Sequence, residues 1–117
     1  MQADRRHNRS SYTSIALGRW LEAVAARNGL SGLVLGDDSG LLVAHGAMDV
    51  DRAEAVAAIA PIVPIWSHAN DEEMQLLKFE HEGAPLLLAG LGKRPDGKAL
   101  ADAQIGIARI LSERIAA

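Results

Sequence analysis

The segment that most constrains the fold runs from Leu33 to Ala44, where two apolar runs flank the polar turn Asp37-Asp38-Ser39-Gly40. Asp side chains can accept hydrogen bonds from backbone N–H groups two residues on, and glycine adopts positive φ at little cost, so the segment predicts a β-hairpin. Its strands should lie near residues 31–37 and 40–46. Because neither run alternates with polar residues, both strands should be covered on both sides. The hairpin therefore predicts the interior of a sheet with helices on both faces.

Three segments have the apolar periodicity of the helices that such a sheet requires. The first runs from Ile15 to Asn28, and its Trp20 should anchor that helix to the sheet. The second is rich in alanine and is capped by Asp49 or Asp51, because a carboxylate suits a helix N-terminus. The third runs from about Lys98 to Ile115.

A second hairpin is predicted between the second and third helices. Gln75–His81 alternates apolar and charged residues, and a tight turn joins it to the apolar run Ala84–Leu91. A strand that carries charge should lie at a sheet edge or be half exposed. Upstream, Pro61 and Pro64 interrupt the helical pattern, and we expect a kinked helical continuation or a second short helical piece that ends near Ala69-Asn70.

The elements follow the order α-β-β-α-β-β-α, which predicts the α+β class with an antiparallel sheet of four to five strands and helices on both faces. A chain of 117 residues with 49% hydrophobic residues can bury one core. We therefore predict a single domain over residues 13–117, preceded by a flexible polar arm over residues 1–12.

Composition excludes several classes of function. The chain has no cysteine, which rules out disulfides, thiolate zinc sites and cysteine nucleophiles. A net charge of −3 and an aromatic content of 3% argue against nucleic-acid binding. No apolar run reaches transmembrane length and the polar N-terminus is unlike a secretory signal, so we expect no membrane partner and a cytoplasmic location.

No residue pattern predicts a catalytic, cofactor-binding or metal site. The four histidines, His7, His45, His68 and His81, fall at segment ends or in loops without metal-ligand spacing. The turn Asp37–Gly40 lacks the alternating acids and distant glutamate of a calcium loop. A small enzyme that uses loop acids with His45 or His68 stays open as an alternative.

Residues Ala26–Leu30 at the end of the first helix, the hairpin Ser31–Ala44 and the Ala-rich helix from Asp51 together resemble the Roadblock family of small dynein-light-chain-type proteins. The resemblance covers roughly residues 14–115 and implies a profilin- or longin-like α+β fold. The family usually has three strands between the second and third helices, whereas two are evident here. A fifth strand, if present, should lie near Leu91–Arg94.

The resemblance also implies a homodimer, in which the second helices and the first strand after them meet across a two-fold axis. On this chain those elements correspond to the helix from Asp51 and the strand Gln75–His81. The alternative for Ala53 and Ala57 is that they simply lie on the sheet. The implied interface residues are Ala53, Ala57, Ala60, Leu76, Lys78 and Glu80.

For function, the resemblance implies a non-catalytic homodimeric adaptor or regulator without a cofactor, because the family includes bacterial proteins that partner small GTPases. The expected partners are a second copy of the chain and a small GTPase, or another signalling protein, in a signalling or motility complex. The alternative is a small-molecule-sensing module of the GAF or PAS type, which also places helices on both faces of a sheet.

Overall fold

The computed structural model describes the backbone of residues 2–63, 66–69 and 72–116, and the side chains of residues 12–63 and 72–113. The elements are α1 (Gln2–Asn28), β1 (Gly32–Asp37), β2 (Leu42–Gly46), α2 (Val50–Ile59), a 3₁₀ helix (Ala60–Ile62), β3 (Trp66–Ala69), β4 (Glu72–His81), β5 (Ala84–Gly92) and α3 (Gly97–Ala116). Within these described ranges, five strands form one antiparallel sheet in the order β2-β1-β5-β4-β3. The predicted α+β class is confirmed, and the predicted order of elements is present with one further strand between α2 and β4.

The first hairpin has the predicted turn chemistry. The Asp37 carboxylate accepts hydrogen bonds from the backbone N–H groups of Ser39 (2.9 Å) and Leu41 (3.0 Å). Gly40 adopts a φ of 88°, a conformation that residues with a side chain rarely reach. The backbone of the turn therefore supplies the hydrogen bonds of the Asp37 carboxylate, and the turn needs no bound cation to stabilise it.

The position of the hairpin in the sheet was only half predicted. β1 lies in the interior between β2 and β5, but β2 is an edge strand. α1 covers β2 closely: a methyl carbon added at Gly46 would lie 2.7 Å from the carbonyl carbon of Leu21. The backbones of α1 and β2 can come this close only because Gly46 has no side chain. β2 is apolar because α1 covers it on one face and Leu42 packs against the core under α2 on the other, although no second strand lies beside it among the described residues.

The sheet carries a separate apolar core on each face. The first core lies between the sheet and the helices α1 and α3, and the second lies under α2. Leu33 and Leu35 of β1 point into the first core, while Val34 between them points into the second. This alternation explains why Leu33, Val34 and Leu35 are apolar at successive positions, as the sequence predicted.

Trp20 joins the two helices of the first core. Its indole N–H donates to the carbonyl oxygen of Ala103 in α3 at 2.9 Å, and a side chain at Gly106 would overlap its ring. The Arg27 guanidinium lies 5.2 Å from the centroid of that ring. Trp20 therefore anchors α1 to α3, whereas we had predicted that it anchors the helix to the sheet.

Two predicted boundaries are wrong. α1 begins at Gln2 instead of Ile15, so the residues assigned to a flexible arm are helical from Gln2 on. Residues 2–14 contain neither glycine nor proline, so nothing in that stretch stops the helix. The boundary between arm and domain at residue 12 stays a prediction.

The segment after α2 is the second correction. Among the described residues of this segment, the 3₁₀ helix Ala60–Ile62 continues the helical path and Trp66–Ala69 form β3, the fifth strand, while Pro64 lies outside the described residues. β3 pairs with residues 72–75 of β4, where it fills backbone hydrogen bonds that the sheet would otherwise leave open. The expected fifth strand near Leu91–Arg94 is the end of β5 and the following loop.

Candidate interaction surface

The inner face of α2 belongs to the core of a single chain. Ala53, Ala57 and Ala60 are at most 2% exposed and pack against the sheet in the second core. A twin cannot touch them unless the chain itself opens. The alternative for these alanines, that they lie on the sheet, is therefore what the structure has, and an α2 interface must use other residues.

The outer face of α2 carries a second apolar row. It consists of Ala55, Ala58 and Ile59, at the spacing i, i+3, i+4 on α2, and continues to Ile62 at the end of the 3₁₀ helix; all four are exposed. On an α-helix this spacing places the first three on the side opposite the buried alanines. Ile62 is 81% exposed and Ile59 is 40% exposed. We call these four residues the outer stripe. It was not predicted from the sequence, although its spacing is readable from residues 55–62.

The turn of the first hairpin lies beside the outer stripe. A methyl carbon added at Gly40 would lie 3.3 Å from both the Cα and the carbonyl oxygen of Ala58. The next residue, Leu41, is 65% exposed. The turn thus places one exposed leucine next in sequence to the glycine that contacts α2.

β4 lies in the interior of the sheet along its first half and at the edge of the sheet along its second half. Residues 72–75 pair with β3 on one side and with β5 on the other. Among the described residues, Leu76–His81 pair only with β5. We call Leu76–His81 the open half of β4. The predicted edge character of this strand is correct for that half alone.

The predicted interface residues of β4 have different environments. Leu76 is 4% exposed and belongs to the second core, so it is not available to a partner. Lys78 and Glu80 are exposed on the same face of the sheet. Of the six interface residues named from the sequence, these two are the ones that the structure leaves at the surface.

An open cleft of about 350 Å³ adjoins the open half of β4. It lies between the hairpin turn, the 3₁₀ helix and the β4–β5 hairpin. Its charged residues are exposed and include both positive and negative side chains, and the rest of its lining is apolar. The lining residues are Asp38, Pro61, Lys78, Phe79, Glu80, Pro85, Leu86 and Leu87.

A polar network ties α2 to the beginning of β4. Glu72 accepts hydrogen bonds from the Ser31 hydroxyl and from the Arg52 guanidinium. These bonds, that of Ser31 first, hold the pKa of the Glu72 carboxyl below its usual range. Because Arg52 is on α2 and Ser31 precedes β1, the network fixes α2 relative to the sheet. It was not predicted from the sequence, since the three residues are far apart along the chain.

Comparison with solved structures gives the fold its name. Myxococcus xanthus MglB superposes with a TM-score of 0.62 at 9% identity, over 86% of this chain and 90% of that one. The Roadblock/LC7 domain from Streptomyces avermitilis superposes with a TM-score of 0.58 at 13% identity, over 86% of this chain and 98% of that one. The chain has a Roadblock/LC7 fold. No family model and no curated protein matches the sequence.

The Roadblock/LC7 fold changes which strand corresponds to the implied dimer contact. The resemblance named the first strand after the second helix, and we assigned that role to Gln75–His81. In the structure the first strand after α2 is β3, which lies at the edge of the sheet. The assignment to Gln75–His81 on the ground of strand order was therefore wrong, because β3 was not recognised.

The histidines do not converge on one site within the described residues. The ring Nδ1 of His45 lies 3.1 Å from the carbonyl oxygen of Met48, in the loop before α2. His81 is at the opposite end of the sheet, at the end of β4. The side chains of His7 and His68 lie outside the described residues. Among the residues that are described, no group of three or more His, Asp or Glu side chains could hold a metal ion. Within the same part of the chain, no helix is long and apolar enough to span a membrane.

Proposed function

We propose that this protein is a non-catalytic, cytoplasmic adaptor that forms a homodimer and binds or regulates a small GTPase in a signalling or motility complex. The observation that carries the proposal is the outer stripe on a Roadblock/LC7 fold. Single exposed apolar residues are ordinary, but an apolar row along one side of a helix is typical of an interaction surface. The resemblance of the sequence to a family that includes partners of small GTPases supplies the class of partner.

The composition of the outer stripe suits contact between two copies of α2. Ala55 and Ala58 allow two helix backbones to approach closely, while Ile59 and Ile62 supply apolar area. A two-fold contact uses the same patch on both subunits, so a self-complementary row of small and large residues is sufficient. We propose the outer stripe as the α2 part of the dimer interface, in place of Ala53, Ala57 and Ala60.

Close contacts between layers favour an adaptor over a small-molecule sensor. A methyl carbon added at Gly36 would lie 3.3 Å from Cβ of Ala57 on α2, and one added at Gly90 would lie 2.8 Å from Leu100 on α3. Ligand-sensing modules hold their ligand between sheet and helix, in pockets of several hundred Å³. At these two positions glycine lets α2 and α3 pack directly on the sheet, so no space for a ligand separates either helix from the sheet there.

The α2 interface can be tested by introducing a charge. Ala55→Arg should weaken dimerisation at least 100-fold, because each dimer would bury two unpaired guanidinium groups at a cost of roughly 3 kcal/mol or more in total. Ala101→Arg places the same charge at an exposed alanine of α3 and is the matched control. The dissociation constants follow from sedimentation equilibrium, with circular dichroism to verify folding. Equal constants for the two variants would exclude the outer stripe from the interface.

The GTPase partner can be tested directly by biolayer interferometry. The protein is immobilised and challenged with the small GTPases encoded in the same genome, each loaded with GDP or with a non-hydrolysable GTP analogue. We expect one GTPase to bind at least tenfold more tightly in one nucleotide state, because a regulator must distinguish the two states. Absence of binding in both states, for every GTPase tested, would contradict this part of the proposal.

A further inference from the structure

We propose that α1 binds an acidic amphipathic helix of a partner protein, through the exposed side that carries Tyr12, Ile15 and Arg19. α1 covers the first core, whereas α2 covers the second core on the other face of the sheet. The proposed site is therefore separate from the outer stripe, and it does not depend on the homodimer of the proposed function.

α1 extends well beyond the sheet that it covers. Its 27 residues form a helix about 40 Å long, whereas β1, which follows it and packs beneath it, has 6 residues and a length of about 20 Å. Because α1 ends just before β1 begins, the excess length lies toward the N-terminal end of α1. Among the residues whose side chains are described, the first buried residue of α1 is Leu17. The core therefore explains the helix from Leu17 onward and does not explain the part that precedes it.

The exposed side of α1 carries large apolar residues where contact with the core ends. Tyr12 is 84% exposed and Ile15 is 55% exposed. With Arg19, which is also exposed, they follow the spacing i, i+3, i+7. This spacing places all three on one side of the helix, opposite the buried leucines. Tyrosine and arginine are among the residues most enriched at the energetic centres of protein interfaces. This side of α1 therefore has the composition of a protein contact.

A second helix is the element that fits this side of α1. Tyr12 and Ile15 are about one helical turn apart, and Ala23 and Ala26, both exposed, continue the same side toward the C-terminal end. Large side chains at one end and small side chains at the other let the axis of a second helix lie close along α1. An amphipathic helix supplies the matching apolar row, because its apolar residues recur at a spacing of three and four.

The distribution of charge favours an acidic partner. α1 contains five arginines and two acidic residues, whereas the rest of the chain contains seven basic and thirteen acidic residues. A helix that contacts α1 alone meets the basic element, and its carboxylates are attracted to Arg19 and to the arginines that precede Tyr12 in the sequence. A long polyanion, such as duplex DNA or an anionic membrane, would also approach the acidic remainder of the chain, which repels it. The charges therefore favour an acidic protein helix over nucleic acid or lipid.

Fluorescence anisotropy with defined peptides tests the proposal. The probe is a labelled synthetic helix with leucines at the three- and four-residue spacing and glutamates at the other positions. We expect it to bind the wild-type protein at least tenfold more tightly than a peptide in which lysines replace the glutamates, and to bind more weakly as salt is added. A peptide of the same composition, with its leucines out of helical spacing, should also bind at least tenfold more weakly than the probe.

Single substitutions locate the site on α1. Tyr12→Ala and Ile15→Ala remove apolar area while keeping a good helix former at each position, and Arg19→Glu reverses the charge beside them. Each should weaken binding of the glutamate peptide at least tenfold. Matched controls are Val50→Ala, at an aliphatic residue of α2 that is 50% exposed, and Arg94→Glu, at an exposed arginine in the loop before α3. These should change the dissociation constant less than twofold.

Equal binding of the glutamate and lysine peptides, or wild-type affinity in the three α1 variants, would overturn the proposal. Duplex DNA and phosphatidylcholine vesicles that contain phosphatidylserine are measured with the same variants. If either binds more tightly than the glutamate peptide and loses that binding in Arg19→Glu, α1 is a site for polyanions, and the proposal of a helix-docking site is wrong. The oligomeric state is measured separately, so each of these results leaves the proposed function standing.

Discussion

Gly46→Ala tests the contact between α1 and β2 that closes the first core. A methyl carbon at this position would lie 2.7 Å from the carbonyl carbon of Leu21 and 2.8 Å from Cα of Glu22, and closer still to the Glu22 nitrogen. All three atoms belong to the backbone of α1, so no side-chain rotation relieves the overlap. The helix must move by on the order of 1 Å to restore ordinary contact distances.

That movement has a cost that follows from the packing around it. Leu17 and Leu21 of α1 are fully buried, and a displacement of the helix would reduce their contact with the sheet. Overpacking typically costs ~1–3 kcal/mol, and the lost packing adds to it, so we expect Gly46→Ala to lower the free energy of unfolding by about 3 kcal/mol. For a domain of this size the midpoint of thermal unfolding should fall by roughly 10 °C.

Urea unfolding followed by circular dichroism at 222 nm measures this loss. Gly97→Ala is the matched control, because the nearest atom to its added methyl carbon is 3.5 Å away, an ordinary contact. It should change the free energy of unfolding by less than about 0.5 kcal/mol. If Gly46→Ala were equally neutral, α1 would not lie on β2 as described, and the explanation of the apolar edge strand would fail.

Two further substitutions test the contacts between elements. Trp20→Phe removes the hydrogen bond to Ala103 and leaves a gap beside α3, so we expect a loss of about 2 kcal/mol in urea unfolding; a loss below ~0.5 kcal/mol would show that the indole does not anchor α3. Glu72→Gln weakens the bonds to Ser31 and Arg52 and should cost about 1 kcal/mol at pH 7, given the partial exposure of Arg52. Because the pKa of Glu72 is lowered in the folded state, its contribution is complete above the ordinary carboxyl pKa and disappears as the pH falls through the lowered value. The difference between wild type and Glu72→Gln should therefore shrink in acid, and a difference independent of pH would contradict the network.

The hairpins were predictable because their information is local. Asp37 and Gly40 specify the first turn within four residues, and both predicted strands formed. The place of β2 at the edge was not predictable in the same way. The second strand was predicted to end at Gly46, where glycine is common at a strand end. In the structure Gly46 is also required for the approach of α1, which is a contact between segments distant in sequence.

β3 was missed because its sequence is ambiguous. The apolar run that follows Pro61 is compatible with a kinked helix or with a short buried strand, and periodicity cannot distinguish them over so few residues. What decides the outcome is the unpaired edge of β4 at residues 72–75, to which Trp66–Ala69 add. The pairing of β3 with β4 belongs to the tertiary structure, so the sequence of residues 66–69 alone does not reveal it.

The elements of the candidate surface were predicted, but few of its residues were. Helix α2 and the strand Gln75–His81 were named, and Lys78 and Glu80 are exposed, whereas the named alanines lie on the buried face of the α2 segment. An Ala-rich helix can have two apolar faces, and alanine periodicity alone does not say which one meets the sheet. Large residues decide it: Val56 is buried and Ile59 is exposed, so the face with Ala53 and Ala57 is the inner one.

Sedimentation equilibrium of the wild-type protein tests self-association, which the proposed adaptor function requires. The measurement should span low to high micromolar concentrations at moderate salt. We predict a particle of twice the 12.4 kDa mass of the chain. A mass of one chain throughout that range would refute the homodimer, and the exposed outer stripe would then need another occupant.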